Sequence, residues 1–219
     1  MTLWDGVFRS GHWARWPAEE VVRSVSRLAA AIGRPLDVLE VGCGPGAQLW
    51  YLEHEGHHAV GLDLSAIGLT HARSRLSEEG CARRVVRADG AWLPFRSGVF
   101  DLVLDVEAFA HNHEDLAPRL WTEAARVLRP GGHLLSFGFT AATTGRTTGS
   151  DTGIRTVTGI TVGPLAGYGE VSLVDKGVVQ ALAKGSGLKV VDAQLRSRTT
   201  GPEHWYVEEQ VTLAQLVPE

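Results

Sequence analysis

Val38-Leu39-Glu40-Val41-Gly42-Cys43-Gly44-Pro45-Gly46 reads as a buried strand that ends in a glycine turn, and the fold is decided there. Glycines at alternate positions let the backbone take positive φ and leave no Cβ between the main chain and whatever lies against it. The run Ala47-Gln48-Leu49-Trp50-Tyr51-Leu52 then starts a helix, so backbone N–H groups and a helix N-terminus point into the same space. A nucleotide-like cofactor is the natural occupant. The loop also fits Gly42-x-Gly44-x-x-Ala47, a dinucleotide fingerprint, so the rest of the chain has to arbitrate.

Outward from that turn, apolar β-branched runs alternate with helical stretches between about residues 20 and 137. Strands are expected at 36–41, 58–63, 83–88, 99–105 and 132–139, with helices at 18–32, 46–56, 66–79 and 114–127. This order argues for an α/β fold, a mostly parallel sheet covered by helices on both faces. Residues 140–174 break the rhythm with a Thr- and Gly-rich insert, which reads equally as a mobile loop or as a substrate-side wall. A helix over 176–186 and strands at 188–196 and 205–213 follow, the pair joined through Thr199-Thr200-Gly201-Pro202.

With 219 residues, 44% hydrophobic and 21% charged, a single domain is expected over 1–219. A net charge of −4 and a pI near 6.1 give no electrostatic reason to expect nucleic acid as a partner. Cys43 and Cys81 have neither disulfide nor metal spacing, and no signal segment or bilayer-length apolar run is present, so a cytoplasmic protein is expected.

Asp63 ends the second strand about 20 residues beyond the glycine loop, where a carboxylate accepts both hydroxyls of a ribose. Asp89 and Gly90 follow the third strand and suit the amino edge of an adenine, with Ala91, Trp92 and Leu93 offering apolar surface to its faces. The fourth strand, Phe100-Asp101-Leu102-Val103-Leu104-Asp105, runs out into Val106-Glu107-Ala108-Phe109-Ala110-His111-Asn112-His113 at the edge where ligands gather in open α/β sheets.

Taken in order, Glu40–Gly46, Gly61-Leu-Asp-Leu-Ser65, Ala88-Asp-Gly90, Phe100–Asp105 and Leu128-Arg-Pro-Gly-Gly132 resemble the class I S-adenosylmethionine-dependent methyltransferases. The resemblance covers about residues 36–139. It implies a Rossmann-like seven-stranded sheet with an antiparallel last strand. It further implies that Gly42, Cys43, Gly44 and Gly46 lie against the methionine half of S-adenosylmethionine, that Glu40 orients its amino end, and that Asp63 holds the ribose hydroxyls, with Leu64 under the adenine. Asp89, Gly90 and Ala91 would meet the adenine, and Asp105 and Val106 the methionine amino group and the transferable methyl. Trp4-Asp5-Gly6-Val7-Phe8-Arg9-Ser10-Gly11-His12-Trp13 resembles the leader of small-molecule members, which folds over the cofactor; Trp13 is its expected contact.

On this reading the protein methylates a small-molecule acceptor on oxygen or nitrogen, as in secondary-metabolite or sugar tailoring. His111 is the first expected base, with Glu107 and His204 behind it. No metal is expected, because hard cations prefer several carboxylate oxygens to imidazoles. The alternatives are a methyltransferase-like scaffold with a non-methylating or regulatory role, and an NAD-dependent oxidoreductase.

Overall fold

The computed structural model describes residues 2–11 and 13–217. Its strands are β1 (Asp37–Val41), β2 (His58–Asp63), β3 (Val85–Arg87), β4 (Phe100–Val106), β5 (Leu128–Phe139), the short β6 (Ser150–Asp151), β7 (Thr156–Thr158) and β8 (Val171–Ser172), then β9 (Leu188–Thr200) and β10 (Trp205–Leu216). Seven of them form one sheet in the order β3-β2-β1-β4-β5-β10-β9, in which only β10 runs antiparallel to its neighbours. Strand order reverses beside β1, so the connections that leave the C-terminal ends of β1 and β4 turn to opposite faces of the sheet and leave a crevice at that edge.

Alternation along the buried strands sends side chains to two layers. Leu39, Val41 and Val103 pack with Leu120, Trp121, Ala124, Val179 and Ala183 of α5 (Ala117–Val127) and α6 (Lys176–Gly185). Val38, Leu102 and Leu104 pack on the other face against Val21, Val25, Leu49, Leu52, Leu69 and Leu76 of α2 (Glu19–Ile32), α3 (Ala47–His54) and α4 (Ala66–Glu78). Helix α2 stops where expected because Gly33 takes φ +75° and donates its N–H to the Ala29 carbonyl at 2.8 Å.

One expectation needs correction, and two segments left open by the sequence take definite form. The segment Arg129–Gly132 is not a turn ahead of the fifth strand; β5 already begins at Leu128, and the four residues bulge between the pairs Phe100–Leu128 and Leu102–His133. Arg129 there binds Asp37 and Asp101, each at 2.9 Å, while Arg34 binds Asp101 at 2.8 Å. That motif therefore ties together the sheet edge opposite the crevice. The 140–174 insert is an ordered unit. Its strands β6–β8 form a small antiparallel sheet, and Val157, Ile160, Leu165, Val171 and Leu173 pack with Phe139 and Val207. Finally, the leader contains a helix, α1 (Leu3–Arg9), that periodicity over seven residues is too short to announce.

Candidate active site

The glycine turn is shaped by contacts from two directions. Gly42, at φ +73°, sits where an added Cβ would lie 2.2 Å from the Ala108 Cβ, so the end of β1 touches the end of β4 backbone to side chain. Gly44, at φ +46°, faces the Phe8 ring, which would stand 2.9 Å from an added Cβ. Asp63 fixes the turn from below: its Oδ2 accepts the Gly44 N–H at 2.8 Å and its Oδ1 the Ser65 N–H at 2.7 Å. Burial raises its carboxyl above the usual range, against the pull of these backbone donors.

Above this turn lies a cavity of about 480 Å³. Glu40 and Gln48 line its base, joined at 3.0 Å, and Glu40 Oε2 and Gln48 Oε1 are left buried without partners. Desolvation, with Asp63 close by, pushes the Glu40 carboxyl well above its normal range. Two unpaired oxygens in a sealed floor constitute a site short of hydrogen-bond donors. Leu64, Asp89 and Gly90 form one wall, while Val106, Glu107 and Ala108 form the other.

Helix α1 closes the top. Thr2 and Asp5 make a capping box, with the Asp5 N–H donating to Thr2 Oγ1 at 3.1 Å and the Thr2 N–H to Asp5 Oδ2 at 2.9 Å. The other Asp5 oxygen accepts the Ser65 hydroxyl at 2.7 Å and the Ile67 N–H at 3.3 Å, so one carboxylate tethers α1 to the start of α4. These donors hold the Asp5 carboxyl down at about 2, the Ser65 hydroxyl foremost. Phe8 then drops into a notch between Gly44 and Gly68.

A second cavity, of about 390 Å³, adjoins the first and shares Trp4, Phe8, Trp13, Glu107, His111 and Arg198 with it. The Trp4 ring stacks on Tyr168 from the insert, with centroids 5.5 Å apart and planes at 20°, and meets His111 edge-on at 4.8 Å. Phe139, Pro164, Leu165 and Val207 complete an apolar back wall. At the junction of the two cavities Glu107 accepts from Arg198 at 3.3 Å, and Arg198 also binds the buried Glu209. Glu107 holds φ +68°, a left-handed conformation rarely adopted by a residue with a side chain and a mark of a functional site.

Residues 38–132 match the family described as methyltransferase domain. Over those residues the chain is similar to S-adenosylmethionine-dependent methyltransferase domains. Over 99 residues it is 41% identical to the phthiotriol/phenolphthiotriol dimycocerosates methyltransferase of Mycobacterium leprae, a match covering 44% of this chain and 35% of that one. It thus spans about a third of the length of the curated relatives it matches. A methyltransferase structure from Methanosarcina mazei superposes with a TM-score of 0.69 at 16% identity, over 84% of this chain and 94% of that one. The 1,6-didemethyltoxoflavin-N1-methyltransferase of Burkholderia thailandensis, solved with 1,6-didemethyltoxoflavin and S-adenosylhomocysteine, gives 0.65 at 20% identity over 91% and 79%. The dehydrogenase reading of the Gly42-x-Gly44-x-x-Ala47 coincidence gives way to this assignment.

Within the methyltransferase, the residues expected around the cofactor mostly converge. Trp13, Glu40, Gly42, Cys43, Gly44, Asp63, Leu64, Asp89, Gly90 and Val106 all line the first cavity, and Gly46, at φ +81°, caps α3 behind it. Two do not. Ala91 is buried in the core beside Leu120. Asp105 is fully buried beneath the floor, its oxygens taken by the Ser136 hydroxyl at 2.6 Å and the Phe109 N–H at 2.8 Å. Trp92, expected near adenine, is 67% exposed, with the Arg119 guanidinium 3.6 Å over its ring.

The three expected catalytic residues separate. His204 sits in the exposed hairpin turn at φ +52° and lines neither cavity. His111 lines both, but burial lowers its pKa to about 4 and its Nδ1 is sealed without a partner. Glu107 lines both and remains accessible. Arg198 and Glu209 escaped the sequence reading. The available signal was the spacing of Arg196 and Arg198, which puts two guanidiniums on one face of β9, with Glu209 directly opposite Arg196 on β10.

Proposed function

We propose that this methyltransferase carries a methyl group from S-adenosylmethionine to a hydroxyl or N–H group of a small molecule held in the second cavity. The observation that carries this reading is the junction itself, where a glycine-turn compartment opens into an aromatic one beside an accessible carboxylate. When bound, the sulfonium of the cofactor supplies an electrophilic methyl. The residues fit it: Glu40 and Gln48 lack a donor that an ammonium would provide, Asp63 and Asp89 flank the wall expected for ribose and adenine, and the Trp4, Phe8 and Trp13 rings suit a cation nearby. Asp63 does this while spending one lone pair on each of the Gly44 and Ser65 amides, which leaves each oxygen a second to offer.

Most of the rate comes from holding the acceptor in line, which α1 and the insert do by walling the second compartment. Glu107 takes the acceptor proton, and Arg198 aims its carboxylate. His111 serves as a neutral aromatic wall, since a group with a pKa near 4 is a poor base at neutral pH. Calorimetric titration with S-adenosylmethionine, S-adenosylhomocysteine and NAD tests the reading. Expected is binding of the first two that weakens about tenfold or more in Asp63→Ala, the loss of charged hydrogen bonds being worth ~1.5–3 kcal/mol. Binding of NAD alone would overturn it. At saturating cofactor, Glu107→Gln should lower kcat by roughly 10²–10⁴ once an acceptor is in hand.

A further inference from the structure

The second compartment is furnished for a particular kind of acceptor. Aromatic rings line it: Trp4 and Tyr168, stacked on each other at 20°, form one side, with Phe8, Trp13 and Phe139 around it. A volume of about 390 Å³ falls within the range for small-molecule sites, and parallel rings at its edge favour a flat guest over a branched or saturated one. The charged groups at the mouth cancel. Arg198 is held by both Glu107 and Glu209, and the neighbouring Arg196 is engaged by Glu20 at 2.5 Å. Whatever the protonation of Glu209, the Glu107–Arg198–Glu209 cluster carries no net positive charge, so nothing there rewards an anionic acceptor. Both carboxylates are already engaged by Arg198, so a cationic acceptor meets no unpaired anion there either. Polar side chains on its lining include the Glu107 carboxylate, an acceptor, and the Thr200 and Tyr168 hydroxyls.

We infer that the acceptor is a flat, uncharged aromatic molecule that lies against the stacked Trp4–Tyr168 pair and offers one O–H or ring N–H to Glu107. This rests on the methyltransferase reading above and narrows its substrate class. It places Tyr168, from the insert, and Trp4, from α1, as specificity-determining residues.

The test uses the full chain saturated with S-adenosylhomocysteine, titrated with 2-naphthol and followed by calorimetry and by quenching of tryptophan emission. Indole replaces the phenol in a second arm and separates N–H from O–H donors. Three mismatched probes follow: the saturated alcohol 2-decalol, the anion 6-hydroxy-2-naphthoate and the cation tryptamine. Expected is saturable binding of 2-naphthol or indole, about tenfold or more tighter than each mismatched probe. Tyr168→Leu should weaken the favoured probe by about tenfold, the size of one lost ring contact with its burial, while Tyr168→Phe retains it and shows that the segment still folds. Glu107→Gln should weaken 2-naphthol by about tenfold when parent and variant are both saturated with S-adenosylhomocysteine. Equal or better binding of any mismatched probe, no binding of either flat probe, or an unchanged affinity in Tyr168→Leu would overturn the inference while leaving the methyltransferase reading standing. Failure of S-adenosylhomocysteine to bind at all would instead remove that reading, and this one with it.

Discussion

Asp105 illustrates how a residue in a functional motif can serve the scaffold. Complete burial pushes its carboxyl up to about 7, although the Ser136 hydroxyl and Phe109 amide both pull the other way. The folded chain therefore keeps a proton that the unfolded chain releases above about pH 4, and this group's contribution to stability declines as pH rises from about 4 to 7. Asp105→Asn removes that dependence, since an amide oxygen still accepts the Phe109 N–H and Ser136 can turn its hydroxyl to accept from the amide nitrogen. Urea melts should show the variant gaining on the parent between pH 4 and 7, by at most about 1.4 kcal/mol per pH unit, and levelling off above. The sequence gives Asp105 a position at the ligand edge but cannot say which way its side chain turns, because one residue of register decides whether it meets the cavity or the layer beneath. Gly42 is the opposite case: alternating glycines before a helix call for close approach, and a Cβ 2.2 Å from Ala108 is that approach realised.

At the scale of elements, α1 is held less by its own helical tendency than by its tether. Seven residues are too few for a stable isolated helix, so the capping box and the Asp5 bridge to Ser65 and Ile67 determine whether it forms over the cleft. With its carboxyl held at about 2, Asp5 keeps this tether intact above about pH 4 and loses it as pH falls towards 2. Asp5→Ala should raise amide hydrogen exchange across residues 3–9 while exchange in β1 and β4 stays unchanged; equal protection in parent and variant would mean that packing alone seats the helix. Strands β1, β2 and β4 and helices α2 to α5 are legible in the sequence because their burial is continuous and their caps are local. The insert is not, since its order comes from contacts far along the chain: Glu114 accepts from the Ile154 and Arg155 amides, and Thr140 and Thr143 bind Glu208. Thr and Gly composition signals a loop; those long-range bonds make it a wall.

Across the whole molecule, the span that matches the family and most of the second cavity's lining are different parts. Residues 38–132 contribute most of β1, all of β2 to β4, the glycine turn and Asp63, whereas Trp4, Phe8, Phe139, Leu165, Tyr168 and Arg198 all lie outside that span. Sequence motifs therefore spoke clearly about the first cavity and hardly at all about the second, whose stacked rings Trp4 and Tyr168 stand about 160 residues apart in the chain. Phe8 is one of the pieces common to both, touching the glycine turn below and lining both cavities. Phe8→Ala should lower stability by about 3–5 kcal/mol in denaturant titration and weaken S-adenosylhomocysteine and 2-naphthol together. Loss of one affinity without the other would show that the compartments are independent. None of the described helices is long and apolar enough to cross a membrane.

The stacking of Trp4 on Tyr168 carries an evolutionary consequence. Because both rings stand on short segments outside the seven-stranded sheet, each can change without renegotiating a central strand. Exchanging residues 3–9 and 163–169 together would replace the pair as one cassette, whereas either segment moved singly would leave one ring without its partner.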